Sequence, residues 1–293
     1  MRLRKQRTLK NSIRCAGIGL HCERRVELVL KPAKPGSGIV FRRTDAESPS
    51  RGLPALWKNA KVSGDSSDLE MTGGPRVGGV AQLLSAAAAA GVDNLTIELK
   101  GPEVPILDGS AEPFLFLLSC AGTVEQDAPA KALKIVAPVE VRNGEAHARL
   151  EPHDGFAIDI EVDYPHPALG HQQWSGEITI DRYQSEIARA RAFEFRTESE
   201  GSLGDQPSSG GAMDHAVVIG RDGVLNAGGF RYSDEPVRHT VLSAIGDLHM
   251  AGGPIIGRFR GRGCDHALVL RLLRELFATP QAWEWVGGPR SEA

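Results

Sequence analysis

The sequence is poor in cysteine, has no long apolar run and carries no large excess of either charge. No stretch approaches the roughly 20 apolar residues that a membrane span needs, so we expect none. The basic start at residues 2–7 is not followed by an apolar run of signal-peptide length. The net charge of -3 argues against nucleic acid as a partner, because neutralising phosphates takes a concentrated basic surface. The cysteines lack CxxC spacing, which excludes a zinc-finger framework and predicts a reducing, cytoplasmic location: Cys15, Cys22, Cys120 and Cys264.

The length allows two domains. At 293 residues, with 41% hydrophobic and 24% charged residues, the chain can form two domains of roughly 100 to 150 residues each. The polar segment 123–131 is the predicted linker. We therefore expect one domain over residues 1–126 and a second over residues 127–293.

Both halves contain strands followed by a pair of helices. Alternating and apolar patterns, Gly and Pro breaks and cap residues predict strands at 6–15, 25–31, 38–43, 94–100, 132–141, 146–151, 156–164, 177–180 and 254–260. Residues 202–211 read as a flexible loop, and residues 216–225 contain an Asp-Gly turn. Helices are predicted at 80–90, 111–120, 185–192, 236–250 and 266–277.

The order helix, Gly, strand, loop, helix occurs once in each half. It runs over residues 80–120 and again over residues 236–277, each time after antiparallel strands. This repeat predicts an α+β fold of two related β-α-α-β domains, each an antiparallel sheet with a helix pair. We expect the helices to face each other across a central cleft, which is the default place for a site.

The helix after Ser233 carries polar residues at one helical spacing. His239, Ser243 and Asp247 fall at i, i+4 and i+8, so they share one face of the helix. The alternative is a solvated polar edge without function. Ser243 weakens a metal interpretation, because a neutral hydroxyl is a poor zinc ligand.

Several motifs together resemble one known family. In order along the chain, the sequence is similar to the UDP-3-O-acyl-N-acetylglucosamine deacetylases of lipid A biosynthesis. The similar segments are residues 5–10, 17–21, 41–45, 102–110, 189–191, 237–239, 244–247 and 266–268. The resemblance implies a zinc-dependent amide hydrolase with its active site between the helices of two β-α-α-β domains.

The resemblance also implies a set of site residues. In the family two His and one Asp hold zinc, a Glu is the general base, a Thr stabilises the oxyanion and a Lys contacts the substrate. A later His, oriented by an Asp, assists as an electrostatic or acid group. The retained catalytic positions here are His266 and Asp247, and the retained metal position is His239.

Five family positions are occupied by other residues. The base and the first ligand correspond to Ala81 and Gln82, and the third ligand to Ser243. Thr240 replaces the Lys, and Ala192 the oxyanion Thr. We therefore expect that the zinc site is lost and that no cofactor is used.

Four further residues are expected to contact the substrate. They are His21, Asp108, Phe193 and Thr240, with the alternative that Asp108 and Asp247 only hold loops or helix ends by hydrogen bonds. Residues 194–211 are polar where the family builds an apolar acyl-chain passage, which argues against a long acyl chain.

Three functions follow. The preferred one is a degenerate homologue without deacetylase activity, a binding or regulatory protein for a UDP-sugar or lipid A precursor, with an intact deacetylase or pathway protein as a possible partner. The second is an active amidase on UDP-3-O-acyl-GlcNAc or a related sugar amide, with metal held by a rearranged set of His21, His239 and Asp247. The third is an interaction protein that uses only the scaffold.

Overall fold

The computed structural model describes residues 4–46, 52–72, 74–167, 169–196 and 215–288, and its fold is α+β as predicted. The first half carries ten strands and two helices. The strands are β1 Lys5–Leu9, β2 Ile13–Ile18, β3 Arg25–Pro32, β4 Ile39–Arg43, β5 Leu53–Pro54, β6 Ala60–Ser63, β7 Ser66–Glu70, β8 Arg76–Val77, β9 Leu95–Lys100 and β10 Thr123–Pro129. The helices are α1 Ala81–Ala89 and α2 Glu112–Ala121.

The second half repeats this plan with a larger sheet. Its strands are β11 Lys131–Ile135, β12 Val139–Asn143, β13 Ala146–Glu151, β14 Phe156–Asp163, β15 His171–Glu177, β16 Phe193–Phe195, β17 Val217–Gly220, β18 Gly223–Val224, β19 Ile255–Arg262 and β20 Trp283–Gly287. Its long helices are α3 Glu235–His249 and α4 His266–Ala278. Short helical turns cover Trp57–Asn59, Ile180–Arg182, Tyr183–Ile187 and Pro280–Ala282.

In each half the central strand of the sheet precedes the second helix: β9 precedes α2, and β19 precedes α4. In the first half the order is β2-β3-β9-β4-β5, antiparallel except that β4 and β9 run parallel. In the second half β19 is central and pairs with β11, β13 and β14. Both central strands alternate buried and less buried residues, so one face of each sheet packs on the helices.

The helices of the two halves face each other, as predicted. Gly246 of α3 lies against the backbone of Ala81 at the start of α1, so closely that a Cβ on Gly246 would come 2.1 Å from the Ala81 carbonyl oxygen. The alanine side chains of α1 permit this approach, and Ala86 and Ala87 are fully buried. The apolar core is continuous across both halves.

The predicted linker is a strand. Residues 123–131 contain β10, which pairs with β1 and returns the chain to its own start. Residues 6–15, predicted as one strand, are two strands, because β1 leaves the main sheet for this pairing. The division at residue 126 stays a prediction.

The helix predicted over residues 185–192 is wrong beyond its first residues. The helical turn ends at Ile187, and the chain then extends so that Arg191 reaches Glu235 at the start of α3. Residues 177–180 mostly follow β15 rather than forming a strand, and β20 was not predicted. The loop predicted at 202–211 lies outside the described residues. Within the described chain, no helix has both the length and the apolarity to cross a membrane.

His249, at the end of α3, makes the fold sensitive to acid. It lines an apolar cavity of about 170 Å³, and burial lowers its pKa to about 4. Between that value and its ordinary pKa near 6.5 the unfolded chain binds the proton and the folded chain does not. Stability is therefore lost as pH falls through this window, by about 3 kcal/mol for a shift of this size.

We predict that His249→Leu reduces the loss of stability that occurs as the pH falls. Urea denaturation at pH 7 and pH 4.5 should give a drop in the free energy of unfolding that is about 2 to 3 kcal/mol smaller in the variant. The pKa of His239 is also lowered, so His239 contributes its own loss of stability in acid to both the wild type and the variant. The exposed His21→Gln is the control and should follow the wild type, whereas equal drops in His249→Leu and wild type would contradict the assignment.

Candidate active site

The polar face of α3 is buried. His239 and Ser243 are each 9% exposed and Asp247 is 1% exposed, so they do not form a solvated edge. The apolar stripe of the same helix packs in the core on the other side, with Val241, Leu242 and Ile245 at 2% exposure or less. Polar groups buried at this depth need partners or a function.

His239 is a neutral imidazole with a defined tautomer. Its Nδ1 lies 3.1 Å from the carbonyl oxygen of Ala190. Because a carbonyl only accepts, Nδ1 carries the hydrogen and Nε2 keeps its lone pair. Burial lowers the pKa of His239 to about 4, against the opposing effect of this hydrogen bond.

His266 is paired with Asp247, as the resemblance implies. Nδ1 of His266, at the start of α4, donates to Asp247 Oδ2 at 2.6 Å, with Ser67 Oγ at 3.0 Å from the same nitrogen. Burial lowers the pKa of His266, but the charge of Asp247 and its hydrogen bond outweigh burial, so the net shift is upward. Nε2 of His266 is thus the atom that gains or loses the proton.

The two histidines are coupled. The charge of His266 adds to the lowering of the pKa of His239. The His239 ring therefore stays neutral while His266 becomes charged. Neighbouring titratable groups whose pKa values are pushed apart are the pattern of an acid and a base in one site.

The donors around His239 make only part of a zinc site. The neutral ring with Nδ1 held by a carbonyl and a free Nε2 is the form that binds a metal, and it fits. Gln82, next to the Ala81 that lies against Gly246, and Ser243 offer only an amide and a hydroxyl. Among the described residues the one group of three His, Cys, Asp or Glu donors within 4.8 Å of one another is Glu161, Asp163 and His171, on the β14–β15 hairpin.

The rearranged ligand set is therefore not assembled. His21, His239 and Asp247 do not bring three donor atoms within that distance. His21 lies exposed in the turn after β2, where its backbone N–H donates to Glu103. The described residues do not complete a three-ligand zinc centre.

The predicted binding residues divide into two groups. Phe193 lies edge-on to His239, with ring centroids 6.3 Å apart. Asp108 instead holds its loop, accepting from Ser110 and from Arg231 Nη1 at 2.9 Å. Thr240 donates to the carbonyl of Pro236 within α3.

Two residues of the site were not predicted. Ser67 contacts His266 from β7, 199 residues away in sequence. Glu235, in the first turn of α3, is fully buried and binds Arg191. Its position four residues before His239 is the signal that was available.

An apolar cluster lies beside His239. Phe193 packs edge-on against Tyr164 and Phe195, and the buried members of the cluster are Leu169, Val217 and Ile219. Of residues 194–211 the structure describes only the first three, which include Phe195, so the expectation about the acyl-chain passage stays a prediction. The remainder of that segment, from residue 197, lies outside the described residues.

Comparisons with known proteins agree along nearly the whole chain. The family model described as LpxC: UDP-3-O-acyl N-acetylglycosamine deacetylase matches residues 6–278. Proteins named UDP-3-O-acyl-N-acetylglucosamine deacetylase from Chromobacterium violaceum and Pseudomonas entomophila are each 44% identical over 284 residues, 96% of this chain and 92% and 93% of theirs. The protein of that name from Xanthomonas oryzae pv. oryzae is 43% identical over 97% of this chain and 94% of its own length.

These comparisons overturn two expectations. The preferred function, a degenerate homologue without deacetylase activity, is wrong: identity of 44% to curated deacetylases over nearly the whole chain favours the active alternative. The five replaced positions leave the His266–Asp247 pair and the neutral His239 in place. The expectation that no cofactor is used is also wrong, because the resemblance assigns zinc to this family. By the extent of the match, the chain belongs to the LpxC family of UDP-3-O-acyl N-acetylglycosamine deacetylases.

Proposed function

We propose that the chain is a deacetylase that hydrolyses the N-acetyl amide of a UDP-3-O-acyl-N-acetylglucosamine or of a related sugar amide. The observation that carries this proposal is a buried His239 with Nδ1 held by the Ala190 carbonyl, near a part-buried His266 with Nδ1 held by Asp247. The pKa values of the two rings are shifted in opposite directions. The printed names of the relatives supply the substrate class.

Amide hydrolysis needs one group to take a proton from water and another to give a proton to the leaving nitrogen. Nε2 of His239 has a lone pair at every pH above about 4, so it can accept the proton of the attacking water. Water oxygen then bonds to the amide carbon while Nε2 of the His266 imidazolium protonates the nitrogen. The carbon–nitrogen bond breaks to give acetate and the amine.

Asp247 fixes the orientation of the acid. Its Oδ2 accepts from Nδ1 of His266, which aims Nε2 away from the carboxylate. Its charge also stabilises the imidazolium. The second oxygen, Oδ1, is buried without a hydrogen-bond partner among the described residues, so the negative charge is shared chiefly with His266.

The apolar cluster supports an acylated substrate. Phe193 lies between His239 and Phe195, so a chain attached near the reacting amide would pass over aromatic rings. A hydrocarbon chain gains about 0.8 kcal/mol per buried methylene. The affinity should therefore rise with acyl length.

Acetate release from UDP-3-O-acyl-GlcNAc by purified protein tests the proposal. His266→Gln is expected to lower kcat by about 10²-fold or more, because it removes the proton donor. The Chromobacterium violaceum relative is the positive control, and the wild type is assayed with and without added zinc. Turnover no faster than the buffer in both conditions, with an active control, would reject the proposed function.

We further propose a cytoplasmic location, supported by four free cysteines: Cys15, Cys22, Cys120 and Cys264. A UDP-sugar that is also a lipid A precursor is the proposed small-molecule partner. Association with another deacetylase or pathway protein stays a prediction, which co-purification from the native cell would test.

A further inference from the structure

One peptide group links Glu235 to His239. The carbonyl of Ala190 accepts from Nδ1 of His239 at 3.1 Å, and the N–H of Arg191 donates to Glu235 Oε1 at 2.9 Å. These two groups are the C=O and the N–H of the same peptide bond, and in a trans peptide they point in opposite directions. The glutamate and the histidine therefore hold the two ends of a single planar unit.

Both side chains come from one face of α3. Glu235 and His239 are four residues apart, which places them one above the other on the helix. The segment between Ile187 and β16 has no helical hydrogen bonds of its own at this peptide. The two ends of this peptide are instead bound by side chains of α3, while Gly109 and Ala111 bind the segment on either side of it.

Glu235 is unusually well fixed. It is fully buried and also accepts from Nε and Nη2 of Arg191, at 2.9 and 3.0 Å, and from the backbone N–H of Arg231 at 2.6 Å. Arg231 in turn binds Asp108 and the carbonyl of Arg189. The Glu235 carboxylate thus accepts four hydrogen bonds, and Arg231 also binds the carbonyl of the residue before Ala190.

We propose that Glu235 is the positioning residue for His239 and acts through the Ala190–Arg191 peptide. A carboxylate that accepts from one end of a peptide polarises it and strengthens the hydrogen bond at the carbonyl end. The strengthened carbonyl holds the hydrogen on Nδ1 and leaves Nε2 free. The expected effect on the reaction rests on the proposed function. The expected effect on the tautomer of His239 does not.

A simple ion pair would behave differently. If Glu235 only neutralised Arg191, any change that weakened the guanidinium contact would have the same effect as changing the glutamate. If it acts through the peptide, Arg191→Lys keeps the effect, because the backbone N–H and the positive charge remain. Glu235→Gln loses it, because an amide oxygen is a weaker acceptor than a carboxylate.

Nitrogen NMR of the His239 ring separates these cases without any activity. The wild type is expected to show a protonated Nδ1 and an unprotonated Nε2, and so is Arg191→Lys. Glu235→Gln should show averaged nitrogen signals from two tautomers. Asp234→Asn, the neighbouring carboxylate that binds Arg238 instead, is the matched control and should keep the wild-type signals.

Kinetics give the second readout. Glu235→Gln is expected to lower kcat about tenfold with KM changed less than twofold, since the ring is misoriented rather than the substrate lost. Should Glu235→Gln fail to fold, Glu235→Asp keeps the charge but withdraws it by one methylene and should shift the tautomer in the same direction. A hydrogen on Nε2 in the wild type, or equal changes in Arg191→Lys and Glu235→Gln, would overturn the proposal. Wild-type tautomers with no turnover would reject only the proposed function.

Discussion

Gln82→His and Ser243→Asp in one chain are expected to raise the affinity for zinc by about 10⁴-fold. Four-ligand zinc sites bind with about 10–16 kcal/mol, so each ligand contributes roughly 3 kcal/mol, or about 10²-fold. His239 is already neutral and presents a free Nε2. Ser243 stands one turn after it on α3, and Gln82 follows the residue that touches Gly246.

Competition with a chromophoric chelator measures this effect, with metal content after dialysis as a second readout. The experiment belongs in a His171→Gln background, because Glu161, Asp163 and His171 place three donors within 4.8 Å at the surface. Each single variant should gain about 10²-fold, and adding His239→Gln should cancel one such step. No gain in the double variant would mean that the three positions do not converge.

Local patterns of residues predict most elements of the fold. The Gly residues after the helices, the apolar alternation of β9 and β19 and the cap at Asp265, which accepts from the N–H of Leu268, act between near neighbours. They can be read from a short window of sequence. The pairing of β1 with β10 joins Lys5 to Pro129, and no local pattern encodes a partner at that distance.

The site shows the same division. The spacing of His239, Ser243 and Asp247 predicted a shared face, and their burial agrees with a site. The partner of His239 is a backbone carbonyl, which has no residue type to recognise. Ser67 and Glu235 act through tertiary contacts that bring β7 and residues 189–191 to α3 and α4.

The inactive interpretation failed for a related reason. It judged the site by the residue types at five positions, whereas acid–base chemistry depends on burial, hydrogen bonding and neighbouring charge. Those quantities set His239 and His266 apart, and none of them is visible in the sequence.

Gly246→Ala is expected to destabilise the fold by about 3 kcal/mol, although alanine is the better helix former. In an exposed helix the change would add roughly 1 kcal/mol of stability. Here the new Cβ would stand 2.1 Å from the carbonyl oxygen of Ala81 and 2.8 Å from its carbon. Backbone atoms cannot rotate away, so α1 and α3 must separate, which is the costly form of overpacking.

Urea denaturation compares Gly246→Ala with Gly228→Ala, where nothing lies within 4 Å of the added carbon. The control should stay within about 0.5 kcal/mol of the wild type. The sign of the change decides the matter, because propensity and overpacking predict opposite directions at Gly246. Separation of α1 from α3 would also displace α3, which carries His239 and Asp247. The variant should therefore lose deacetylase activity at temperatures where it remains folded. A stable, fully active Gly246→Ala would contradict both the expected loss of stability and the expected loss of activity.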